Sequence, residues 1–429
     1  MISSDSATDA RVRLGWLHRR FGWGERADQL AGTDDPVTAL FSKEGNIVDP
    51  WGGRALTNDN DERSRTVREW FAHGIATTTP VHDRRTFELH GWLVSSLGAV
   101  PAPLMVEQLR LFDRAGAGSF PDLLRAVTID AAMLVYLDGR TSRAANPNEN
   151  YARELLELFS LGSGFSGALS PYVESDVAAA AAALTGWAVR RGDLRAKFVP
   201  RRHDDSPGQL LGTNGVNDVD GVIDAIVSHP EHDRFVAAQV ARRYVGVPTT
   251  PEGDELEPDA DTIDELASAY RKGGRRLDYT IETAARIVSD NDSRLPIYPI
   301  VAAPVPWMLG ATRQLGVSFR NGAGSRDQIL AMGQVPLMPP SAAGWPGGRR
   351  WLTTSKLVGR TNVAAEIING VADSHPARAA AIDGDVVALA DILSMPTPFG
   401  SASTDAIRSA GSPSAALTLA LVSPEYLLT

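Results

Sequence analysis

No cysteine occurs anywhere in the 429 residues. That absence removes disulfides, thiolate nucleophiles and Cys-ligated zinc or iron–sulfur centres together. It leaves the compartment open, because a cysteine-free chain survives in either redox environment. Positive charge is also short: 42 Lys and Arg against 52 Asp and Glu give a formal charge of −10. Such a surface repels phosphate backbones, so no nucleic-acid partner is expected. Arg190-Arg191, Arg201-Arg202 and Arg349-Arg350 are basic pairs rather than a stripe, and solvated surface explains them. No apolar run approaches the roughly eighteen residues a membrane span needs. Asp5, Asp9, Arg11 and Arg13 break every apolar stretch near the start, so no signal peptide is read there and a cytoplasmic location is expected, with export alongside a signal-bearing partner left open. A G-x-S-x-G elbow, a Walker loop and a dinucleotide fingerprint are missing as well.

What is present is helical periodicity. Apolar residues recur at three- and four-residue steps in most of the segments near 10–21, 62–75, 82–98, 102–116, 120–137, 147–161, 173–188, 218–229, 233–245, 260–273, 279–290, 300–315, 325–332, 355–373, 385–394 and 413–422. Pro101 and Pro147 suit first-turn positions, and Ser119 and Asp259 suit caps. Alternating strand patterns are scarce; the surroundings of Ala196–Val199 suit a short hairpin. The expected fold is therefore all-α, a large assembly of mainly antiparallel helices with long loops and at most a minor hairpin. With 43% hydrophobic residues the chain can bury a sizeable core. The acidic, Pro-rich stretch 247–258 reads as an exposed connection, dividing an N-terminal lobe (1–246) from a C-terminal one (259–429); one continuous domain is also compatible. The alanine run Ala178–Ala183 suits a close helix–helix contact.

One segment stands apart, Asn146-Pro-Asn-Glu-Asn-Tyr-Ala-Arg-Glu-Leu-Leu-Glu-Leu-Phe-Ser-Leu-Gly162. Asn146 can cap a helix with Pro147 at its first position and Glu149 closing a capping box. Gly162 sits where a left-handed residue ends a helix. Tyr151, Ala152, Leu155, Leu156, Leu158 and Phe159 fill one arc of the wheel, and Glu149, Asn150, Arg153, Glu154 and Glu157 the other. The plainest reading is an amphipathic helix with Glu149–Arg153–Glu157 ion pairs at i,i+4 spacing.

The segment from Asn148 to Gly162 also resembles the signature N-E-N-(Y/F)-A-R-E-L-x-E-L-x-(S/T)-L-G of the bacterial domain-of-unknown-function family 1800. Further blocks agree in order: Tyr172–Val177 with Ala183–Trp187, His203-Asp204 with Leu211-Gly212, and Gly333–Pro340 with Gly344-Trp345-Pro346, Trp351-Leu352 and Arg360-Thr361-Asn362. The opening Leu17–Gly22 and the closing Ser423–Tyr426 fit too, so the resemblance runs through nearly the whole chain. Two blocks depart from it. Members usually carry F-W-H-x-H-F, whereas this chain keeps Trp92 but has Leu93 and Ser95 where the histidines fall. A lysine common before L-G is also replaced within Asp205–Gln209.

The resemblance implies a protein partner from domain-of-unknown-function family 1501, which looks like an alkaline phosphatase or sulfatase. It also implies a site where the signature helix meets the other blocks. The residues expected to carry chemistry there are Glu149, Arg153, Glu154, Glu157, His203 and Asp204, with Asn148, Asn150, Trp187, Trp345, Arg360 and Asn362 as binding groups. Oxygen and nitrogen ligands in this set would suit a divalent metal, but no local pair has ligand spacing, so a cofactor is not favoured. Glu154 and Glu157 on one face would suit acid–base chemistry; Arg153 beside them suits a structural ion pair equally. The block from Gly344 to Trp351 suits either a ligand cleft or a rigid loop over the core. The glycine-rich 162–167 stretch suits either an anion cradle or a simple helix end. A divergent scaffold or binding protein is the leading expectation, and a hydrolase or metal-dependent enzyme using the Glu/Arg/His/Asp cluster the alternative.

Overall fold

The computed structural model describes residues 4–25, 30, 33, 35–42, 49–52, 54–164, 169–190, 192, 194–290, 297–317 and 326–429. Part of the glycine-rich stretch, 165–168, lies outside them. The described residues are mostly helical, from Ser4–Phe21 through to Pro424–Leu427. Two antiparallel two-stranded sheets accompany the helices. Trp187–Val189 pairs with Ala196–Phe198, and Gly208–Leu210 pairs with Thr213–Val216. The first is the hairpin expected around Ala196–Val199; the second is too short and too polar to show a period-two pattern.

Start signals act as the sequence suggests. Ser119 caps Phe120–Thr128 by accepting from Asp122 N, and Asp259 caps Ala260–Lys272 by accepting from Asp261 N and Thr262 N. Helix ends are closed less obviously, by arginines remote in sequence. The last carbonyls of a helix have no partner of their own, and a guanidinium satisfies several at once while complementing the dipole. Arg313 donates to Ile75 O (2.8 Å) and Thr77 O (2.9 Å) at the end of Asn60–Ala76. Arg378 does the same for Ile368 O (2.9 Å) at the end of Thr354–Asn369. Arg20 binds Tyr244 O (2.6 Å) and Val245 O (2.5 Å), where Ala241–Val245 closes in a π turn.

One cluster of buried apolar side chains extends from Leu14 to Leu427. Within it an aromatic chain links distant segments. Trp23 meets Trp70 at 5.9 Å, Trp70 meets Phe87 at 5.0 Å, and Phe87 stacks on Trp345 at 4.9 Å. The 247–258 stretch folds back on itself through a bridge between Thr249 and Glu255. Its Asp254 pairs with Arg349 at 2.8 Å, which ties it to the tryptophan–proline block.

Candidate functional site

The signature helix begins two residues later than its sequence suggests. Asn148, not Asn146, is the cap: its side-chain oxygen accepts from Tyr151 N (3.3 Å) while its amide donates to Leu137 O (2.7 Å). Asn146 is taken up in a turn with Arg143, which leaves Pro147 outside the helix. The α segment Glu149–Glu154 passes into a π segment, Leu155–Ser160. There Leu161 N donates to Leu156 O and Ser160 Oγ to Leu155 O, both five residues back. Gly162 follows with φ +79°, as expected of the closing residue. Tyr151, Ala152, Leu155, Leu156 and Phe159 are buried, so the apolar arc is the one read from the wheel.

The charged arc faces outward, and its pairing differs from the i,i+4 ladder. Arg153 makes a two-armed bond to Glu174 across to the next helix, both contacts at 2.7 Å. A planar fork to a carboxylate is geometrically better than a reach along one helix, and it holds Glu174 below the usual carboxylate range. Glu157 accepts from the Tyr172 hydroxyl at 3.1 Å. Glu154 is half-buried, and its carboxyl is pushed up first by desolvation and then by Glu157, with Arg153 opposing. Glu149 and Asn150 are exposed. The small-residue contact is present: Ala180, Ala181 and Ala183 of Glu174–Ala183 are buried.

His203 and Asp204 sit beside the hairpin. His203 Nδ1 lies 3.0 Å from Thr185 O, and Asp204 N donates to Thr185 Oγ1 at 2.8 Å. The His203 ring meets Phe198 edge-on at 5.1 Å. Hydrogen bonding to Ser206 keeps the Asp204 carboxyl low. Trp187 packs on Phe198 at 5.4 Å and shares a small crevice with Asn148 and Tyr151. Asn148 and Trp187 are thus brought together, and His203 and Asp204 share Thr185, whereas Arg153 and Glu157 have partners of their own in Glu174 and Tyr172. Among the described residues no three His, Asp or Glu side chains group in a way that could hold a metal ion.

Where the family's second histidine would fall, a different polar chain is buried. Ser95 Oγ donates to Gln108 Oε1 (2.5 Å), and Gln108 Nε2 donates to Asp130 Oδ1 (2.9 Å). Asp130 caps Ala131–Tyr136, and burial raises its carboxyl to about 6. Leu93 fills the other histidine position within the apolar core.

The remaining expected residues lie elsewhere. Asn362 is exposed. Arg360 is fully buried, donates to Ala302 O at 2.6 Å and lies 5.4 Å over the Trp307 ring; its Nε and Nη1 have no partner, and burial lowers its pKa to about 10. Trp345 lines a cavity of about 270 Å³, bounded by the ends of Ser4–Phe21 and Pro80–Trp92, the π turn, the 300–303 strand-like segment and the 345–351 block.

That cavity is assembled from residues spread from Arg19 to Thr429. Five guanidinium groups line it, from Arg19, Arg20, Arg84, Arg242 and Arg243, against the carboxylates of Glu88 and Glu255. Glu88 accepts from Arg84 Nε at 2.6 Å and lies 3.6 Å from Arg243, so two cations share it. Arg242 turns to Glu257 at 2.6 Å. Arg19 and Arg20 hydrogen-bond to main-chain oxygens, Arg19 at Tyr426 O (2.7 Å) and Leu428 O (3.4 Å) and Arg20 at Tyr244, Val245, Tyr298 and Thr429, and each also lies over a ring, Tyr426 and Trp16. Desolvation lowers both, Arg20 to about 9. The sequence signal was there, in the Leu17–Gly22 block and in Trp345, but nothing local joins them across more than three hundred residues.

The model of the family described as Protein of unknown function (DUF1800) matches residues 9–428. Comparison with curated proteins finds no match, nor does comparison with solved structures.

Proposed function

The chain belongs to the DUF1800 family, and from that premise we propose that it is a binding protein without catalysis of its own, acting with a partner of domain-of-unknown-function family 1501. The observation that carries this reading is the state of the signature helix. Its charged groups are engaged with neighbouring residues outside the helix, Arg153 with Glu174 and Glu157 with Tyr172, rather than converging on a common reacting atom. Such a face is rigid, because its helix is anchored by a buried arc, and rigidity lowers the entropy cost of association. Two large apolar side chains stand in water just before the helix that carries Glu174, Leu169 at 94% and its cap residue Val173 at 61% exposure. An apolar pair rimmed by fixed charges has the make-up of a protein-binding surface. A cytoplasmic location accompanies the reading, with export on the partner as the variant.

The test is association of the purified chain with a purified family 1501 protein, followed by size-exclusion chromatography with light scattering. A stable complex lost in Leu169→Asp or Val173→Asp supports the reading; two separate peaks at micromolar concentrations end it.

One observation favours the enzymatic alternative. Glu154 is raised by desolvation beside a second carboxylate, Glu157, the environment in which paired carboxylates divide acid and base roles. A hydrolase reading requires a turnover that Glu154→Gln abolishes while the fold is kept.

A further inference from the structure

The cavity between the first helix and the tryptophan–proline block has more positive charge than its own acids can balance. Arg84 and Arg243 share Glu88, and Arg242 is matched by Glu257. Arg19 and Arg20 meet main-chain oxygens and one aromatic ring each, Tyr426 and Trp16, and no acidic side chain among the described residues. Even a carboxylate at Thr429 would leave the lining with more guanidinium groups than acids. Buried charge without a counter-charge is costly, and carbonyl dipoles offset only part of that cost. Arg20 has a structural reason to be there, since it closes a helix end. Arg19 has less of one: the residue is buried, with 7% of its surface exposed, and its Nη1 has no hydrogen-bond partner.

The same lining carries aromatic side chains, Phe87, Trp307, Trp345 and Trp351, and Trp345 is held by its stack on Phe87 and its edge contact to His90 at 5.7 Å. Its indole Nε1 is a second buried donor without a partner. Gly347 and Gly348 belong to the same lining; a Cβ on either would stand 2.8 Å from the Glu255 carboxylate, so the backbone comes close to that rim acid without blocking the space.

We propose that this cavity is a binding site for a small organic oxyanion, a phosphate, sulfate or carboxylate borne on a flat ring. The anionic end meets the Arg19–Arg20 side, and the ring lies against the indole and phenyl wall. The volume of about 270 Å³ sits at the small end of ligand pockets, which suits a one-ring molecule and excludes a nucleotide or a peptide. Paired guanidinium and aromatic faces recognise this chemistry through charge-assisted hydrogen bonds and stacking. The inference rests on reading the chain as a binding protein, and it names what that protein holds.

Titration calorimetry on the full chain with phenyl phosphate, inorganic phosphate, phenol and phenethylammonium tests it, with phosphorus NMR on the same samples. The expected result is saturable one-to-one binding of phenyl phosphate, at least tenfold weaker binding of phosphate or phenol, and none of phenethylammonium. Trp345→Ala is expected to weaken phenyl phosphate tenfold or more. Arg19→Met should do likewise but risks the fold, so Glu88→Gln is the informative partner. It removes a competing carboxylate and is expected to tighten binding several-fold, which a damaged fold would not do. No saturable binding, preference for the cation, or indifference to Trp345→Ala and Glu88→Gln each overturns the site. Phosphate binding as tightly as phenyl phosphate overturns the role of the aromatic wall. Phenyl phosphate bound but hydrolysed keeps the anion site and ends the non-catalytic reading; a family 1501 complex without anion binding does the reverse.

Discussion

The guanidinium of Arg19 lies 4.3 Å over the ring of Tyr426 and donates to the same residue's carbonyl oxygen at 2.7 Å. Residues near the two ends of the chain therefore form one wall of the cavity. The Tyr426 hydroxyl continues the link by donating to Gln314 Oε1 at 2.7 Å, and Gln314 in turn donates to Leu393 O. Tyr426→Phe removes that hydroxyl bond and leaves a buried amide oxygen unsatisfied, at an expected cost of about 1–2 kcal/mol. Tyr426→Leu also takes the ring from beneath Arg19, and the larger loss, about 3 kcal/mol with the packing defect included, separates the ring from the hydroxyl. Urea unfolding of the two variants decides; equal losses would assign everything to the hydrogen bond.

Arg360 poses the complementary question, since it is a fully buried cation with one carbonyl acceptor and one indole face. A buried charge with so few partners adds little stability over an apolar group of similar length. Arg360→Met is expected to unfold within about 1 kcal/mol of the parent, and Arg360→Ala to lose about 3 kcal/mol by opening a void. Denaturant midpoints for the pair are the measurement. A Met variant as damaged as the Ala variant would mean that the charge itself holds the Ala302 segment.

These residues also mark how far the sequence could be read. The apolar arc of the signature helix, the left-handed Gly162 and the hairpin at Ala196 depend on neighbours within a few residues, and each was legible. The cap was misplaced by two because Asn146 and Asn148 are equally good cap residues; only the tertiary bond from Asn148 to Leu137 O decides between them. Arg153 looked committed to Glu149 and Glu157, but Glu174 on the neighbouring helix offers a better fork. The cavity was least visible of all, because arginines at 19–20, 84 and 242–243 become neighbours only after three helix ends pack against each other. Arg360 and Trp345, adjacent as motif blocks, separate because one faces the core and the other the cavity.

Acid stability follows from three buried groups that pull in different directions. Burial lowers His90 to about 3 and His232 to about 4 from 6.5. Both stay neutral in the folded chain while the unfolded chain takes up their protons, so they cause stability to fall as pH drops below about 6.5. Asp130, raised to about 6, is the reverse: the folded form keeps a proton that the unfolded form has released, so its contribution is full near pH 4 and is lost as pH rises through about 6. His90→Leu is expected to flatten the acid limb and Asp130→Asn to steepen it, the latter keeping a cap-competent side chain. Urea midpoints at about pH 5 and pH 7 test both slopes; an Asp130→Asn difference that does not change with pH would show that this carboxyl does not titrate in the range.

Gly344 decides whether Trp345 can reach its place. Its φ is +84°, and a Cβ there would stand 2.3 Å from the Gly91 carbonyl oxygen, at the end of the helix that also supplies Phe87 and Glu88. The approach is mutual, for a Cβ on Gly91 would meet the Trp345 ring at 3.2 Å. Gly344→Ala therefore meets two penalties, a left-handed backbone and a clash with main chain that cannot rotate away. Gly212→Ala meets only the first, since its φ is +80° but nothing lies within 4 Å of the added carbon. The left-handed penalty alone is about 1 kcal/mol, so Gly212→Ala is expected to lose that much and Gly344→Ala about 3 kcal/mol or more. The excess measures how tightly the tryptophan block is pressed onto the helix. It should be matched by weaker binding of phenyl phosphate in Gly344→Ala, with binding unchanged in Gly212→Ala. Equal stability losses would mean that the loop moves away freely, and the cavity wall would then be too soft to orient a ring.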